Sequence, residues 1–340
     1  MKAFIKAVEY YLPEKVLANA DIQKAFPDWT EEKIYQKVGI KGRHIAAEDE
    51  TAADMAQKAA EKLFEKNKGL RERIDFVIFC TQSPDYKLPT SACILQDRLG
   101  LSQNVGAFDF NLGCSGYVYG LSIVKGYIDG GMAKNVLLLT GETYSKYIHP
   151  QDKSNLSIFG DAASATVVST EGRLEIGDFA FGTDGGGFEQ LIVKAGGARF
   201  PGLNSEISVD EDGHIVSGNH LFMDGQSIFS FTLKRIPQLI ENTLKKNGLE
   251  KKDVDLFIFH QANAFILDYL RKKIGIESER FYYCVETVGN TVSSSIPIAL
   301  CDALSDGTLI KKKDIMLAGF GVGLSWAGCI LKHIYSLSDL

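Results

Sequence analysis

Cys114 is the residue of this chain best placed for covalent chemistry. It lies in NLGCSGYVYGL, residues 111–121, where a strand-like run ends in small residues and a helix-like segment follows. Gly113 and Gly116 permit close backbone approach, and the free amides at a helix N-terminus favour an anion. We therefore expect a thiol pKa about two units below the ordinary ~8.5, so that the nucleophilic thiolate predominates.

His260 and Asn290 also follow strand-like runs. His260 comes directly after the apolar sequence LFIF, and Asn290 lies in VGNT, residues 288–291. Each residue taken singly has a purely structural interpretation, as a hydrogen-bonded histidine or a turn asparagine. Strands of an open α/β sheet, however, place ligands at their carboxyl ends. We therefore predict one catalytic site formed by Cys114, His260 and Asn290.

These three residue types suit thioester exchange followed by carbon–carbon bond formation. The cysteine accepts an acyl group, while a neutral histidine and an amide donate hydrogen bonds to a thioester carbonyl as it becomes an enolate. No strong base is needed if the carbanion forms by loss of CO2. A serine hydrolase is not indicated, because no GxSxG sequence occurs.

The glycine-rich sequence GFGVG, residues 319–323, has two interpretations. As a dinucleotide-binding motif it is incomplete, and the chain ends before an acidic ribose partner would follow. We therefore expect no nicotinamide cofactor, and instead a tight turn that brings a backbone amide to the site as an oxyanion donor.

The segments that position these residues alternate between strand-like and helix-like patterns, which indicates an α/β protein. The pattern also repeats. Residues 74–85 match 254–265, residues 108–121 match 283–300, and residues 135–145 match 314–326. We predict two duplicated halves related by a pseudo-twofold axis, 1–172 with the cysteine and 173–340 with the histidine and asparagine. The polar, glycine-rich connection 195–219 is predicted to form part of a substrate entrance.

Composition excludes several classes of protein. The chain has 340 residues, of which 45% are hydrophobic and 24% charged, and a formal charge of -6, which argues against nucleic-acid binding. Six cysteines without a CxxC pair predict neither a disulfide framework nor a metal site. The N-terminal segment lacks a signal-peptide core, and no apolar run approaches the ~20 residues that span a bilayer. We expect a cytoplasmic protein that does not bind membranes.

Seven segments together resemble one known family over nearly the whole chain. They are VGIKGRHIA (38–46), SPDYKLPTSACILQDRLG (83–100), GAFDFNLGCSGYVYGLSI (106–123), SIFGDAASA (157–165), HQAN (260–263), GNTVSSSIPIAL (289–300) and GFGVGLSW (319–326). Their order and spacing resemble the 3-oxoacyl-(acyl carrier protein) synthase III enzymes of the thiolase superfamily. The resemblance implies a thiolase-like α/β fold with duplicated halves in a layered α-β-α-β-α arrangement.

The resemblance also implies an acyltransferase of fatty acid biosynthesis or a related acyl pathway, which carries out a decarboxylative Claisen condensation. A starter acyl-CoA would acylate Cys114, and His260 and Asn290 would assist decarboxylation of malonyl-(acyl carrier protein). The backbone amides of Cys114 and Val322 would form the oxyanion hole, with Phe320 beside the centre. The family works as homodimers and without a cofactor or metal.

For substrate binding, the resemblance implies a pantetheine channel and shows several departures. Residues that fit the channel are Gly225, Gln226, Phe229 and Asn263. Lys33 and Lys37 stand where the family has a tryptophan and an arginine that contact CoA, Lys153 replaces a second arginine, and Phe265 replaces a third. Lysine cannot reproduce the planar stacking and fork geometry of arginine.

Two further expectations concern the starter and the carrier protein. Leu88 stands where a bulky aromatic residue of the partner subunit often closes the acyl pocket, which predicts a starter longer than acetyl. Acyl carrier proteins are acidic, so a local basic surface must bind them. The candidates are Lys272 and Lys273 with the adjacent Arg271, and a second cluster of Lys33, Lys37, Lys41 and Arg43.

Two other interpretations remain open. A non-decarboxylating acyltransferase on the same fold would transfer the acyl group from Cys114 to another acceptor. A non-catalytic subunit of a synthase complex would gain no acyl group at all.

Overall fold

A computed structural model describes residues 1–202, 207–209 and 215–334. The strands are β1 (Phe4–Tyr11), β2 (Lys15–Ala18), β3 (Gly42–Ile45), β4 (Phe76–Cys80), β5 (Gly106–Phe110), β6 (Asn135–Glu142), β7 (Ala162–Ser169), β8 (Leu174–Thr183), β9 (Leu191–Ile192), β10 (Ile207–Val209), β11 (Ile215–Ser217), β12 (Phe222–Met223), β13 (Leu256–Phe259), β14 (Asp314–Gly321) and β15 (Ser325–His333). The α-helices are α1 (Asn19–Ala25), α2 (Glu31–Val38), α3 (Ala52–Lys66), α4 (Ser91–Arg98), α5 (Gly116–Asp129), α6 (Lys153–Leu156), α7 (Gly225–Lys246), α8 (Ala264–Ile274), α9 (Val285–Val288) and α10 (Ser295–Ser305). Of the predicted entrance segment 195–219, residues 203–206 and 210–214 lie outside the described residues.

Nine strands form the main sheet, in the order β13-β14-β15-β8-β1-β7-β6-β4-β5. At its centre β1 and β8 pair through only Phe4–Glu175 and Ile5–Leu174, so the sheet consists of two half-sheets joined at a narrow seam. Outward from the seam, β1-β7-β6-β4 and β8-β15-β14-β13 have the same sequence of parallel and antiparallel pairings. The predicted α/β fold with duplicated halves is confirmed, while the division at residue 173 stays a prediction.

Helices cover both faces of each half-sheet and give five layers. Side chains of successive strand residues point to opposite faces. Ile78 of β4 and Leu317 of β14 pack with Tyr117 of α5 and Ile296 of α10, so these two helices form the central layer. The neighbouring residue of β4, Val77, packs instead against α3 and α4.

Outer helices α7 and α8 cover the second half-sheet in the same way. Met316 and Phe257 pack against Leu239 of α7 and Leu267 of α8. All eight residues of β6 and of β14 are buried, because each strand lies between two helical layers. This double burial explains why their sequences are nearly continuous apolar runs. In the described ranges no helix is long and apolar enough to cross a membrane.

Candidate active site

Cys114, His260 and Asn290 line one cavity of about 590 Å³. Cys114 directly precedes Ser115, the N-cap of α5; His260 follows the last residue of β13; and Asn290 lies between α9 and α10. Residues from both halves of the chain therefore meet around a single space, as the repeated sequence pattern predicted.

The thiol of Cys114 is buried, with 5% of the residue exposed. Burial raises its pKa to about 12, although the backbone amides of Val322 and of Cys114 itself hydrogen-bond toward the sulfur and act to lower it. The carboxyl of Glu142 nearby adds to the increase. The prediction of a largely ionised thiol is therefore wrong for the resting protein, because loss of solvation outweighs the helix N-terminus and the two amides.

Glycines at the end of β14 allow this strand to press against Cys114. A Cβ atom on Gly321 would lie 2.8 Å from both Cβ and Sγ of Cys114, and one on Gly319 would lie 2.9 Å from the Cys114 carbonyl oxygen. Gly319 and Gly321 are thus required for close packing, which brings the Val322 amide to the sulfur.

His260 is buried and uncharged at neutral pH. Burial lowers the pKa of its ring to about 3. Its Nδ1 atom lies 2.7 Å from the hydroxyl of Ser295, and its ring makes an edge contact with Phe320 at a centroid distance of 5.6 Å. A neutral imidazole held in this way can donate one hydrogen bond or accept one proton.

One of the two polar side-chain atoms of Asn290 is hydrogen-bonded within the protein, and the other can bind a ligand. Its Oδ1 accepts a 2.9 Å hydrogen bond from the backbone amide of Val292. Its own backbone amide donates to the Ile158 carbonyl, and its carbonyl accepts from the Gly160 amide. Because the carboxamide is fixed through its oxygen, the Nδ2 group is left as the donor toward a ligand.

A run of three serines, Ser293 to Ser295, leads into α10 and was not singled out from the sequence. Ser293 donates to Glu142 Oε1 at 2.9 Å, and Ser295 contacts His260. Ser294 lies 2.7 Å from Thr140. Their signal was present inside GNTVSSSIPIAL, but which partner each hydroxyl meets depends on tertiary packing.

Glu142, at the end of β6, is a second residue that the sequence did not reveal. Burial raises the pKa of its carboxyl to about 8, although hydrogen bonds from the Gln82 amide and the Ser293 and Ser83 hydroxyls act in the opposite direction. These bonds link the loop after β4 to the serine run. The carboxyl therefore connects both halves beside the cysteine.

Most residues predicted to bind substrate line the same cavity. The structure places there Phe320, Gly225, Gln226, Phe229, Asn263 and Lys37. Lys153 does not line the cavity, but its ammonium group lies 5.6 Å from the centre of the ring of Trp29, which does.

Trp29 is a lining residue that the sequence analysis missed. Its indole nitrogen donates to Ser157 at 2.9 Å, and the ammonium group of Lys37 lies 4.7 Å from its ring centre. The family resemblance aligned the family's tryptophan with Lys33 of this chain. Trp29 immediately precedes Thr30, the N-cap of α2, so a tryptophan beside a helix start was the available signal.

Leu88 lies outside this cavity and is 82% exposed. Its neighbours Tyr86 and Lys87 line a second cavity of about 620 Å³, to which Tyr144, Tyr147 and Val322 also contribute. Leu191 lines both cavities, so the second one begins beside the wall of the first.

The predicted docking lysines, Lys272 and Lys273, are exposed on α8 and do not line the cavity. Of the second predicted cluster, Arg43 is fully buried and donates to the carbonyls of Leu17 and Ser157. Its inclusion as a docking residue is therefore wrong, because its guanidinium stabilises the interior. Lys41 is paired with Glu286 at 2.7 Å.

Comparison with known proteins supports a common family. The family model for 3-oxoacyl-[acyl-carrier-protein (ACP)] synthase III matches residues 108–185, and the model for its C-terminal part matches residues 244–333. A β-ketoacyl-[acyl-carrier-protein] synthase III of Caldanaerobacter subterraneus subsp. tengcongensis is 38% identical over 95% of each chain. That of Chlamydia muridarum is 36% identical over 98% of this chain and 100% of its own.

A solved structure of a 3-oxoacyl-(acyl-carrier-protein) synthase III is 50% identical, covers 98% of this chain and 100% of its own, and superimposes with a TM-score of 0.95. One from Thermus thermophilus is 34% identical over 98% of this chain and 100% of its own, with a TM-score of 0.86. With sequence, fold and site all in agreement, the chain belongs to the 3-oxoacyl-[acyl-carrier-protein] synthase III family of the thiolase superfamily.

Proposed function

We propose that the protein condenses a starter acyl-CoA with malonyl-(acyl carrier protein) and releases CO2 and a 3-oxoacyl-(acyl carrier protein). One observation carries the proposal: Cys114, His260 and Asn290 share a cavity in which two backbone amides point at the sulfur. Such a cavity provides a nucleophile, two neutral hydrogen-bond donors and an oxyanion hole around one thioester carbonyl.

Acylation of Cys114 must be coupled to proton transfer. Because burial raises the pKa of this thiol to about 12, the uncharged thiol predominates at pH 7. As Sγ bonds to the acyl carbon, His260 accepts the thiol proton, and the carbonyl oxygen takes its developing charge to the amides of Cys114 and Val322. The carbon–sulfur bond to CoA then breaks, and the proton leaves on the CoA thiol.

Condensation follows in the same cavity. The bond from the malonyl carboxylate to its α-carbon breaks and releases CO2, and its electron pair forms the enolate of the thioester. Hydrogen bonds from His260 and the Asn290 amide stabilise the enolate oxygen. The α-carbon then attacks the acyl carbon on Cys114, the carbon–sulfur bond breaks, and the sulfur leaves as a thiolate that takes a proton from solvent. An uncharged His260 suits both steps, because it is restored to neutrality once CoA has left.

The cavity mouth supports a CoA thioester as donor. Trp29 offers an aromatic ring, and the nearby ammonium groups of Lys37 and Lys153 offer positive charge for phosphates. Gly225, Gln226, Phe229 and Asn263 line the same cavity as Cys114 and would hold the pantetheine arm. This arrangement requires no cofactor or metal.

A starter longer than acetyl is part of the proposal. The second cavity, bordered by Val322 and Leu191, offers space for an acyl chain beyond the sulfur. Leu88 is exposed and lies beside residues that line it. A homodimer would let this residue reach the acyl pocket of the partner subunit.

Homodimer formation and a cytoplasmic location belong to the same proposal. Strand β5 forms one end of the main sheet, so one of its edges is available to another strand. The six cysteines are all free, which suits a reducing compartment.

A panel of acyl-CoA donors read by intact-protein mass, followed by malonyl-(acyl carrier protein), tests the reaction. We expect one acyl group per chain, none on Cys114→Ala, and loss of that mass with CO2 release on the malonyl chase. Asn290→Ala should still be acylated but should decarboxylate about 10²–10³-fold more slowly, because it lacks one enolate donor. Acylation without malonyl-dependent CO2 would identify a non-decarboxylating acyltransferase, and no acylation would indicate a non-catalytic subunit.

A further inference from the structure

The second cavity, which begins beside the wall of the first, has a lining that is partly apolar and partly polar. Its apolar lining residues include Leu191, Val193, Leu221 and Val322. Its polar lining residues include two that carry carboxamides and two that carry phenol hydroxyls, namely Gln82, Asn111, Tyr144 and Tyr147. A plain hydrocarbon chain would cover these polar groups without offering them a partner, which costs free energy.

Gln82 brings its carboxamide close to the residue that carries the sulfur. A Cβ atom on Gly113, which precedes Cys114, would lie 2.5 Å from Gln82 Oε1 and 2.5 Å from Cγ1 of Val322. The carboxamide and the valine side chain therefore both lie against the neighbour of Cys114. An acyl group that extends from Cys114 into the second cavity passes these two side chains within its first few carbons.

Hydrogen bonds fix the orientation of the two carboxamides. The buried Tyr144 hydroxyl donates to Gln82 Oε1 at 2.6 Å, and Gln82 Nε2 donates to Asn111 Oδ1 at 2.8 Å. The Tyr147 hydroxyl donates to the Gln82 carbonyl oxygen at 3.0 Å, which holds the backbone in place. The Asn111 Nδ2 group donates to none of the described residues, and Gln82 Nε2 keeps one N–H. These N–H groups can therefore donate to a ligand.

We infer that the starter acyl group carries a hydroxyl on its third or fourth carbon. The N–H groups of Gln82 and Asn111 donate to the hydroxyl oxygen, while the carbon chain contacts Val322 and Leu191. The inference rests on the proposed condensation and specifies its acyl donor. A site that hydrogen-bonds a substrate oxygen rejects the hydrocarbon analogue strongly, because the analogue leaves the polar groups of the site unpaired.

The test compares acyl-CoA donors of similar shape in which a hydroxyl replaces a methyl group. Each enantiomer of 3-hydroxybutyryl-CoA is compared with 3-methylbutyryl-CoA, and 4-hydroxybutyryl-CoA is compared with pentanoyl-CoA. The rate of acyl-enzyme formation at limiting donor concentration is read by intact mass. For the wild type we expect at least one hydroxylated donor to react about tenfold faster than its methyl counterpart. The ratio of the two rates does not depend on the fraction of protein that is folded.

Two variants remove the N–H donors at nearly constant volume. In Gln82→Met and in Asn111→Leu, we expect the preference for the hydroxylated donor to fall to about twofold or less. Gln103→Met is the matched control, because Gln103 is exposed in the turn between α4 and β5 and should leave the ratio as in the wild type.

Two results would overturn the inference and leave the condensation intact. One is a wild type that reacts as fast or faster with the methyl donors, and the other is a preference for the hydroxyl that persists in both variants. Failure of the wild type to be acylated by any acyl-CoA would instead overturn the proposed function, and the inference with it.

Discussion

Replacing Gly321 by alanine tests whether the end of β14 sets the position of the Cys114 sulfur, the proposed nucleophile. The new Cβ would lie 2.8 Å from Sγ and Cβ of Cys114, whereas ordinary contact begins at 3.4 Å, so the cysteine must move by about 0.6 Å. A displacement of ~1 Å at a reacting atom can cost about 10²-fold in rate. We therefore expect Gly321→Ala to be acylated about 10- to 100-fold more slowly than the wild type.

The same substitution should cost stability only moderately. Insertion of one methyl group into a packed interior costs about 1–3 kcal/mol, so the variant should still fold and can be checked by circular dichroism. Gly126→Ala on α5 is the matched control, because no atom lies within 4 Å of its added Cβ. A glycine in a helix is ~0.5–1 kcal/mol less favourable than alanine, so this control should be slightly more stable and fully active.

The assay is acyl-enzyme formation, followed by intact mass after rapid acid quenching at several times. A folded Gly321→Ala protein that is acylated as fast as the wild type would refute the reasoning. It would mean that the sulfur can shift without losing contact with the backbone amides of Cys114 and Val322, or that β14 moves instead.

Three further predictions concern residues that the structure revealed. Trp29→Leu should raise KM for an acyl-CoA about tenfold and leave KM for the matching acyl-pantetheine unchanged, since only CoA carries the base and phosphates. Equal effects on both donors would contradict a role of Trp29 in binding the CoA head group. Glu142→Gln should remove a pH dependence of stability, because burial raises the folded-state pKa of the Glu142 carboxyl to about 8. As pH rises from about 5 to 8, this carboxyl loses its proton in the unfolded state first. The free energy of unfolding of the wild type should therefore fall relative to that of the variant, by up to ~1.4 kcal/mol per pH unit. Urea unfolding of both proteins at pH 5.5 and 8 measures this difference. The same change in free energy of unfolding for both proteins between the two pH values would rule it out. Ser295→Ala should lower the acylation rate about tenfold and shift the pH profile of that rate, because His260 loses the hydroxyl at Nδ1. Ser295→Thr should restore the rate and the pH profile. If Ser295→Ala instead only reduced the amount of folded protein, the role of Ser295 would be merely structural.

That Cys114, His260 and Asn290 lie together could be predicted because local sequence determines their placement. Cys114 and His260 each lie at the end of a strand-like run or the start of a helix, and the repeat relates the two halves. The strands β6 and β14 could be recognised as apolar runs in the sequence because both are buried on both faces.

Other features depend on contacts between distant segments and could not be predicted. The ionisation of Cys114 is set by burial beneath β14, about 200 residues further along the chain. Trp29 lines the cavity although it lies four residues before Lys33, with which the family's tryptophan was aligned, because tertiary packing decides which side chain reaches the cavity. The pairing of Lys272 with Asp268, by contrast, follows a four-residue helix spacing and was accessible from sequence.

The three consecutive serines Ser293 to Ser295, the last of which begins α10, have three different structural roles. Each hydroxyl contacts a different residue: Ser293 reaches Glu142, Ser294 reaches Thr140 and Ser295 reaches His260. Although the three residues are identical, we expect their mutations to have distinct effects. These are on stability for Ser293, on packing between the halves for Ser294 and on turnover for Ser295. Diverging descendants of this gene would be able to exchange these serines only together with their separate partners.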